Sequence, residues 1–243
     1  ITPGLIDDYR HIRKKDPSPT KKGASIAPAT INKETSQLIT MLNKAVSHGK
    51  LNQNPLAGKI KKLVEDNVRK KVLNQEEFER LVSELKSPLR EMFIVAFYLC
   101  MRQGEIIKLT WSSVDLEEGF IRLPAENTKN NLSRVVPIHP FVEECLKQVE
   151  KKEGEDRVFL SNGKPINQFS GNFQRQWKDA TKKVGLEDFH FHDSRHCSIN
   201  NLRLAQNDYF RIMAISGHKT MSVFKRYNYV TEDELKSVKW RQV

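Results

Sequence analysis

The first seventy residues carry apolar side chains at helical spacing. Leu38, Leu42 and Val46 recur every four positions, which predicts an amphipathic helix over residues 31–48. Thr30 is the expected N-cap of this helix. A shorter helix is predicted nearer the amino terminus, and the prolines and glycine between the two helices predict a loop.

Beyond this region the pattern predicts a larger domain, mainly α-helical with a small antiparallel β-sheet (α+β). Asn74 and Glu77 have the spacing of a capping box. Residues 92–99 are apolar on every side and predict a buried helix. Residues 119–123 and 134–138 alternate in polarity around a polar stretch, which predicts a hairpin with a long tip. Further elements are predicted as a strand at residues 157–160 and helices at residues 140–152, 167–183, 192–204, 208–216 and 220–227.

Composition indicates a folded protein. The 243 residues are 38% hydrophobic and 29% charged, which is far from a disordered composition. Three cysteines, Cys100, Cys145 and Cys197, are too few for a disulfide framework or a four-thiolate zinc site. The longest apolar run covers residues 93–101 and is shorter than a membrane span. We therefore expect a soluble, cytoplasmic protein in a reducing compartment, without a membrane partner.

Positive charge is concentrated at the amino-terminal end. The chain carries 41 Lys and Arg against 30 Asp and Glu, a formal net charge of +11. Residues 1–71 hold 15 of these basic residues and 6 of the acidic ones, so most of the excess lies there. Such a balance favours a polyanionic partner, nucleic acid above all. The candidate DNA-binding residues are Lys33, Lys44, Lys50, Lys59, Lys61 and Lys62.

Six residues have side chains suited to one anionic centre. They lie at predicted helix ends, in the hairpin tip or in the last predicted helix: Arg102, Lys129, His192, Arg195, His218 and Tyr227. His192 and Arg195 are three residues apart in a predicted helix and therefore lie on one face. Guanidinium groups such as that of Arg195 bind phosphate oxygens in bidentate fashion. Each residue alone is also compatible with an ordinary structural role, so the weight rests on the combination.

The combination resembles the tyrosine recombinases, the integrase family of phages and mobile elements. The first arginine motif of that family looks like Met101-Arg102-Gln103-Gly104-Glu105, and its His-x-x-Arg looks like the segment 192–195. A Gly-His pair stands at 217–218, followed nine residues later by a tyrosine. Two departures are Cys100, where the family usually has glycine, and Asn228-Tyr229 in place of Thr-His.

This resemblance implies a two-domain organisation. Residues 1–71 are expected to form a helical core-DNA-binding (SAM-like) domain with a basic linker, and residues 72–243 the tyrosine-recombinase catalytic domain. Many relatives carry a further amino-terminal arm-binding domain, and the chain is expected to lack it.

The residues also support a reaction. A phenol has a pKa of about 10 and is a poor nucleophile, so Tyr227, the nucleophile implied by the resemblance, needs cations nearby. Arg102 and Arg195 can clamp the non-bridging phosphate oxygens, and His218 can add a hydrogen bond. Further roles are those of Lys129 as general acid, implied by the resemblance, His192 as general acid/base and Glu105 as orienting residue. A 3′-phosphotyrosyl intermediate would store the bond energy, so no metal, ATP or other cofactor is expected.

The sequence thus predicts a site-specific DNA recombinase, or integrase, that integrates or excises a mobile element or phage. Its expected partners are double-stranded DNA attachment sites, a homotetramer on paired sites, and accessory DNA-bending or excision proteins.

Three alternatives stay open at this point. A non-catalytic DNA-binding module would keep the same fold without cleavage, and a relaxing topoisomerase would use the same chemistry without paired sites. A metal-dependent hydrolase would use His190, His192 and His196 as ligands.

Overall fold

The computed structural model describes residues 1–19, 23–65, 71–128, 132–169 and 171–221. The chain divides into two compact units, Ile1–Val68 and Arg69–Val243. The boundary predicted from the charge pattern lies three residues further along the chain.

The first unit is built on two helices, α1 (Pro3–Arg13) and α2 (Pro28–Ser47). Its buried apolar side chains are Ile6, Ile26, Ile31 and Leu56. The prediction that Thr30 caps α2 is wrong, because the helix begins at Pro28 with Ala27 at the N-cap position. Proline is favoured in the first turn, since its fixed φ matches a helix and its missing N–H would have no partner there.

The second unit contains most of the helices. Their bounds are α3 (Gln75–Glu84), α4 (Leu89–Leu99), α5 (Gln103–Ile107), α6 (Pro140–Lys147), α7 (Asn172–Lys183), α8 (Asp193–Leu204) and α9 (Tyr209–Ser216). The predicted capping box is confirmed: Asn74 Oδ1 accepts from the Glu77 N–H at 2.8 Å, and the Glu77 carboxylate accepts from the Asn74 N–H at 3.0 Å.

Two predicted helices differ from the structure at one end, and a third lies largely beyond the described residues. Helix α6 ends five residues before the predicted end, and α7 begins five residues after the predicted start. Gly171 precedes α7 with a φ of 57°, a conformation that favours glycine, so the helix cannot extend backwards through it. The helix predicted at 220–227 lies outside the described residues from position 222 onward.

A three-stranded antiparallel sheet carries the predicted hairpin. Strands β1 (Val114–Asp115), β2 (Phe120–Leu123) and β3 (Arg134–Pro137) lie in sequential order. A separate two-stranded ribbon joins β4 (Leu160–Ser161) to β5 (Lys164–Pro165). The expected class, mainly α with a small antiparallel sheet, is confirmed. The strand predicted at 157–160 is mostly wrong, because Arg157 makes only an isolated bridge to Thr110.

The core of the second unit is centred on α4, which packs against α8 and α6. Every residue of α4 except Arg90 and Tyr98 is buried, as the apolar sequence predicts. Phe78 of α3 stacks on Phe97 with ring centroids 4.3 Å apart and also contacts Phe93. Strand β3 packs against α9, which brings the hairpin next to the end of that helix.

Within the described residues, no helix combines the length and the apolar composition that crossing a membrane requires.

Replacing Phe78 with alanine should lower the free energy of unfolding by about 3–5 kcal/mol. The side chain is 1% exposed, so its removal opens a cavity between α3 and α4. Urea denaturation followed by tryptophan fluorescence measures the loss. The control is Phe210→Ala: that side chain is 78% exposed and its removal should change stability by less than about 0.5 kcal/mol. Equal effects of the two substitutions would contradict the proposed packing.

Candidate active site

Arg102 and Glu105 form the first part of the site. Arg102 directly precedes α5, and its backbone N–H donates to Glu105 Oε2 at 2.7 Å. Its side-chain Nη1 donates to Glu105 Oε1 at 2.9 Å. Glu105 is 2% exposed. One buried carboxylate therefore holds both the backbone and the guanidinium of Arg102.

A third arginine, which the sequence analysis did not select, shares this carboxylate. Arg134 is the first residue of β3, and its Nη1 and Nη2 donate to Glu105 Oε1 and Oε2 at 2.9 and 2.6 Å. A sequence signal for it exists. Side chains two apart in a strand point to the same face, and Val136 is fully buried. A charged residue on the buried face of a predicted strand marks Arg134 as a candidate for an internal ion pair.

These arginines decide the ionisation of Glu105. Burial by itself would raise the pKa of this carboxyl, but the hydrogen bonds and charge of Arg134, together with the hydrogen bonds from Arg102, outweigh it. The pKa of Glu105 therefore lies below its usual value, and the carboxylate is ionised at neutral pH.

Arg195 lies in the first turn of α8 and is 2% exposed. Its Nη1 donates to the backbone carbonyl of Cys100, and its Nη2 donates to the carbonyl of Ser216. Nη2 also lies 3.5 Å from His218 Nε2. The guanidinium thus joins the end of α4 to the end of α9.

Two helix ends supply carbonyl oxygens to the arginines. Cys100 caps α4 and Gly217 caps α9, both in the left-handed conformation. Besides the bonds from Arg195, Arg102 Nη2 donates to the Gly217 carbonyl at 3.3 Å. The carboxyl ends of helices carry partial negative charge from their unpaired carbonyls, so both ends stabilise the cations.

His218 follows the cap of α9 and is 9% exposed. Its Nδ1 lies 2.7 Å from Ser216 Oγ. Burial, followed by the charges of Arg195, Arg102 and Arg134, lowers the pKa of His218 to about 3. The imidazole is therefore neutral at physiological pH, with burial as the main cause and the arginine charges adding to it.

A cleft of about 190 Å³ opens beside these groups. Its lining includes Arg102, Thr128, Leu132, Arg134, Gly217, His218 and Lys219. Thr128 and Leu132 are the described residues that flank Lys129 in the sequence. Three guanidinium groups and the Lys219 ammonium, against the one carboxylate of Glu105, leave the neighbourhood of this cleft with three net positive charges, which suits an anion.

The structure brings some of the expected catalytic residues together and leaves others untested. Arg102, Glu105, Arg195 and His218 meet around the ends of α4 and α9. His192 is the N-cap of α8, three residues before Arg195, and its side chain is exposed. Lys129 and Tyr227 lie outside the described residues. The roles of all six catalytic candidates and of Glu105 stay predictions.

All six candidate DNA-binding lysines are exposed on the first unit. Two of them lie on one stripe of α2, because positions four, seven, eight and eleven residues apart share a helical face. The stripe consists of Lys33, Gln37, Thr40, Met41 and Lys44, all of which are exposed.

The three-histidine metal site is not supported. The rings of His192 and His196 have centroids 6.3 Å apart and stand nearly perpendicular. Among the residues that the structure describes, no group of three or more His, Cys, Asp or Glu side chains is placed to hold a metal ion. His190, His192 and His196 all belong to that part of the chain.

Replacing His218 with glutamine should make the protein less sensitive to acid. Because the folded-state pKa of His218 is about 3 and that of an unfolded histidine about 6.5, only the unfolded state binds the proton between these values. Stability therefore falls as the pH is lowered through this window, by about 1.4 kcal/mol per pH unit from this group.

Urea denaturation at several pH values between 6 and 4 measures the slope in the unmodified chain and in the variant. The slope reports how many protons the protein takes up on unfolding, and in the variant this number should be smaller by about one. The exposed His190→Gln controls for the loss of an imidazole. An unchanged slope in His218→Gln would contradict a neutral, buried His218.

Known proteins are similar to this chain along most of its length. The sequence profile of the phage integrase family matches residues 71–234. A shufflon-specific DNA recombinase of Escherichia coli is 32% identical over 241 residues, which cover 98% of this chain and 60% of the relative. The chain thus spans about three fifths of the length of the relatives that it matches.

Solved structures share the fold. The Tn1549 transposon integrase in complex with circular intermediate DNA superposes with a TM-score of 0.72 at 16% identity, covering 98% of this chain and 84% of the other. A lambda integrase tetramer bound to a Holliday junction gives a TM-score of 0.61 at 20% identity, covering 90% and 73%.

The profile matches more than half of the chain, and the recombinase relative extends over nearly all of it. The resemblance drawn from the arginine, histidine and tyrosine motifs is thereby confirmed: the chain belongs to the phage integrase family.

Proposed function

We propose that this chain cleaves and rejoins DNA strands at specific sites through a 3′-phosphotyrosyl intermediate, to integrate or excise a mobile element or phage. The observation that carries the proposal is the meeting of Arg102, Arg195 and His218 around two helix ends beside a positively charged cleft. Membership of the phage integrase family, and a recombinase relative along nearly the whole chain, support the same activity.

The cleft suits the charge that develops during attack on a phosphodiester. A pentacoordinate transition state carries more negative charge on its non-bridging oxygens than the ground state does. Fixed cationic donors stabilise that added charge without reorganising during the reaction. Arg102 and Arg195 are fixed in this sense, since carboxylate and carbonyl oxygens hold their guanidinium groups. Arginine offers planar, bidentate donors that lysine lacks.

His218 serves as a neutral hydrogen-bond donor in this proposal. Ser216 Oγ can either donate to or accept from His218 Nδ1, so it supports both neutral tautomers. Without DNA, Nε2 can accept from Arg195 Nη2 while Nδ1 donates to the serine hydroxyl. When phosphate takes over the Arg195 donor, the tautomer with the proton on Nε2 donates to a phosphate oxygen while Nδ1 accepts from the serine hydroxyl. The neutral imidazole already carries the proton that it donates. It does not have to take up a second proton from solvent, which its lowered pKa would oppose.

The remaining steps use residues assigned from the family motifs. The Tyr227 oxygen forms a bond to phosphorus, and the bond from phosphorus to the 5′ oxygen breaks. The phenol proton passes to a base, for which His192 is suited, and Lys129 protonates the leaving oxygen. The phosphotyrosyl bond preserves the energy of the broken bond for the second strand transfer.

The first unit supplies a DNA-binding face in this proposal. The exposed stripe of α2 carries lysines at both ends, three helical turns apart, and the remaining four candidate lysines follow along the chain as far as Lys62. Lysine side chains neutralise phosphates and release counterions, which provides most of the non-specific affinity for DNA.

Further partners are proposed from the neighbours. Lambda integrase forms a tetramer on a Holliday junction, and we expect four copies of this chain on two duplexes. Accessory DNA-bending or excision proteins would set the direction of the reaction. The DNA substrate and the three free cysteines agree with a cytoplasmic site of action.

Covalent trapping tests the proposal. Duplex sites are first selected by the chain from a random-sequence pool. Versions nicked at successive positions across the selected site are then incubated with the chain in EDTA, and adducts are separated on a denaturing gel. The unmodified chain should form a covalent adduct at one nick position, and Tyr227→Phe should form none, because phenylalanine lacks the attacking oxygen.

Tyr229→Phe is the matched control, because it removes a neighbouring phenol and should preserve the adduct. Loss of the adduct in Tyr229→Phe alone would move the nucleophile to that residue. An adduct that forms only without EDTA would favour metal-dependent chemistry. Binding without any adduct would favour a DNA-binding module.

The lysines of α2 give a second, separate prediction. Lys33→Ala and Lys44→Ala should each weaken binding to selected and unselected duplexes alike, and should each reduce the slope of log affinity against log salt by about 0.9. Fluorescence anisotropy between 50 and 300 mM salt measures the slopes. Lys147→Ala is the control, because Lys147 pairs with Glu143 and Glu144. Unchanged slopes in both α2 variants would remove this face from the DNA interface.

A further inference from the structure

Arg134 makes more connections than its position at the start of a strand requires. Its side chain is 8% exposed. Besides the two bonds to Glu105, its Nε donates to the backbone carbonyl of Ile215 at 2.8 Å. Three donors of one guanidinium therefore reach a carboxylate on α5 and a carbonyl in the last turn of α9.

Gly217 shows how closely Arg134 fits against the end of α9. A Cβ at position 217 would lie 3.3 Å from Arg134 Cδ and 3.4 Å from Arg134 Nε and Nη1. The residue also has a φ of 69°, which favours glycine. The Arg134 side chain therefore packs closely beside the cap, directly before His218, and a Cβ at position 217 would have to displace it by a few tenths of an ångström.

Arg134 also lies at the base of the hairpin tip. Thr128 Oγ1 donates to the Leu132 carbonyl at 2.9 Å and accepts from the Leu132 N–H at 3.1 Å. These bonds close the tip two residues before Arg134. The segment between Thr128 and Leu132 contains Lys129, so Arg134 anchors the strand that follows the proposed general acid.

We infer that Arg134 is a positioning residue that fastens the β2–β3 hairpin to Arg102, through Glu105, and to the turn that carries His218. This inference rests on the proposed function, because it assigns Arg134 to the same phosphate-binding centre. Arg134 acts on the reaction through these neighbours and not by contact with the reacting atoms.

The geometry requires arginine. The guanidinium donates to Glu105 and to Ile215 in two different directions. Its N–H groups are fixed in one plane and can reach both acceptors at once. A lysine at this position would keep the positive charge but would offer one ammonium in place of three separated donors. Arg134→Lys therefore separates the loss of this geometry from the loss of charge.

The experiment compares the unmodified chain with Arg134→Lys, Arg134→Gln and the control Arg122→Gln. Arg122 lies on β2, is 54% exposed in its side chain and pairs with Asp115 at the surface. The first measurement is hydrogen–deuterium exchange of the DNA-free chain. Arg134→Lys and Arg134→Gln should exchange at least tenfold faster both in residues 103–107 and in residues 213–219, while Arg122→Gln should match the unmodified chain.

The second measurement is the rate of covalent trapping on the selected nicked duplex, with DNA affinity measured in parallel. Arg134→Lys should reduce the trapping rate at least thirtyfold while changing affinity less than threefold. If Arg134 acts on Arg102 through Glu105, the double variant Arg134→Lys/Glu105→Gln should trap no more than about threefold more slowly than the slower single variant. If the two residues acted independently, the fold-losses in trapping rate of Arg134→Lys and Glu105→Gln would multiply in the double variant.

The outcomes distinguish this inference from the proposed function. A covalent-trapping rate of Arg134→Lys within threefold of that of the unmodified chain would overturn the inference and leave the proposed function standing. Unchanged hydrogen–deuterium exchange in both segments would have the same meaning. Multiplicative losses in the double variant would also overturn it. If the unmodified chain forms no adduct on DNA that it binds, the proposed function fails and the reaction role of Arg134 fails with it.

Discussion

The buried carboxylate of Glu105 is the interaction on which the rest of the site depends. Two guanidinium groups, those of Arg102 and Arg134, meet on it within hydrogen-bond distance. Burying a charge is costly unless it is paired and hydrogen-bonded, and two cations brought together without an anion would repel each other. The carboxylate offsets both costs and joins a loop after α4 to a strand of the hairpin. Removing one partner of such a buried pair is costly, because it leaves an uncompensated buried charge.

Helix ends provide the second constraint. Arg195 is placed by the carbonyls of Cys100 and Ser216, and Arg102 contacts the carbonyl of Gly217. Because α4 and α9 both end in left-handed caps, their last carbonyls remain available to side chains from other elements. Cys100 adopts this conformation with a φ of 53°, although the family usually has glycine at this position. Its N–H donates to Ser198 Oγ at 2.9 Å, so α8 holds both the cap and the arginine that binds it.

The two units differ in how they distribute their positive charge. The first unit holds 12 Lys and Arg against 6 Asp and Glu, and its candidate DNA-binding lysines are exposed, which suits a contact with phosphates along a duplex. The second unit holds 29 Lys and Arg against 24 Asp and Glu, and it places Arg102, Arg134 and Lys219 around one cleft. A delocalised charge favours association and a focused charge favours chemistry at one phosphate, because electrostatic stabilisation is strongest where donors are fixed and water is excluded.

The sequence by itself determined the elements with strong local signals and the identity of the family. The spacing of polar and apolar residues predicts the capping box at Asn74, the buried helix α4 and the alternating strands β2 and β3. The order of the motifs indicates the family. The N-cap of α2, the end of α6, the start of α7 and the expected strand at 157–160 were placed wrongly, because boundaries depend on competing caps and turns that neighbouring elements decide. Only the tertiary structure showed that Arg134 shares Glu105 with Arg102 and that two helix ends hold the arginines. Apart from the Arg102–Glu105 pair, these contacts join residues that lie 21 to 115 positions apart, and periodicity carries information only about near neighbours in the chain.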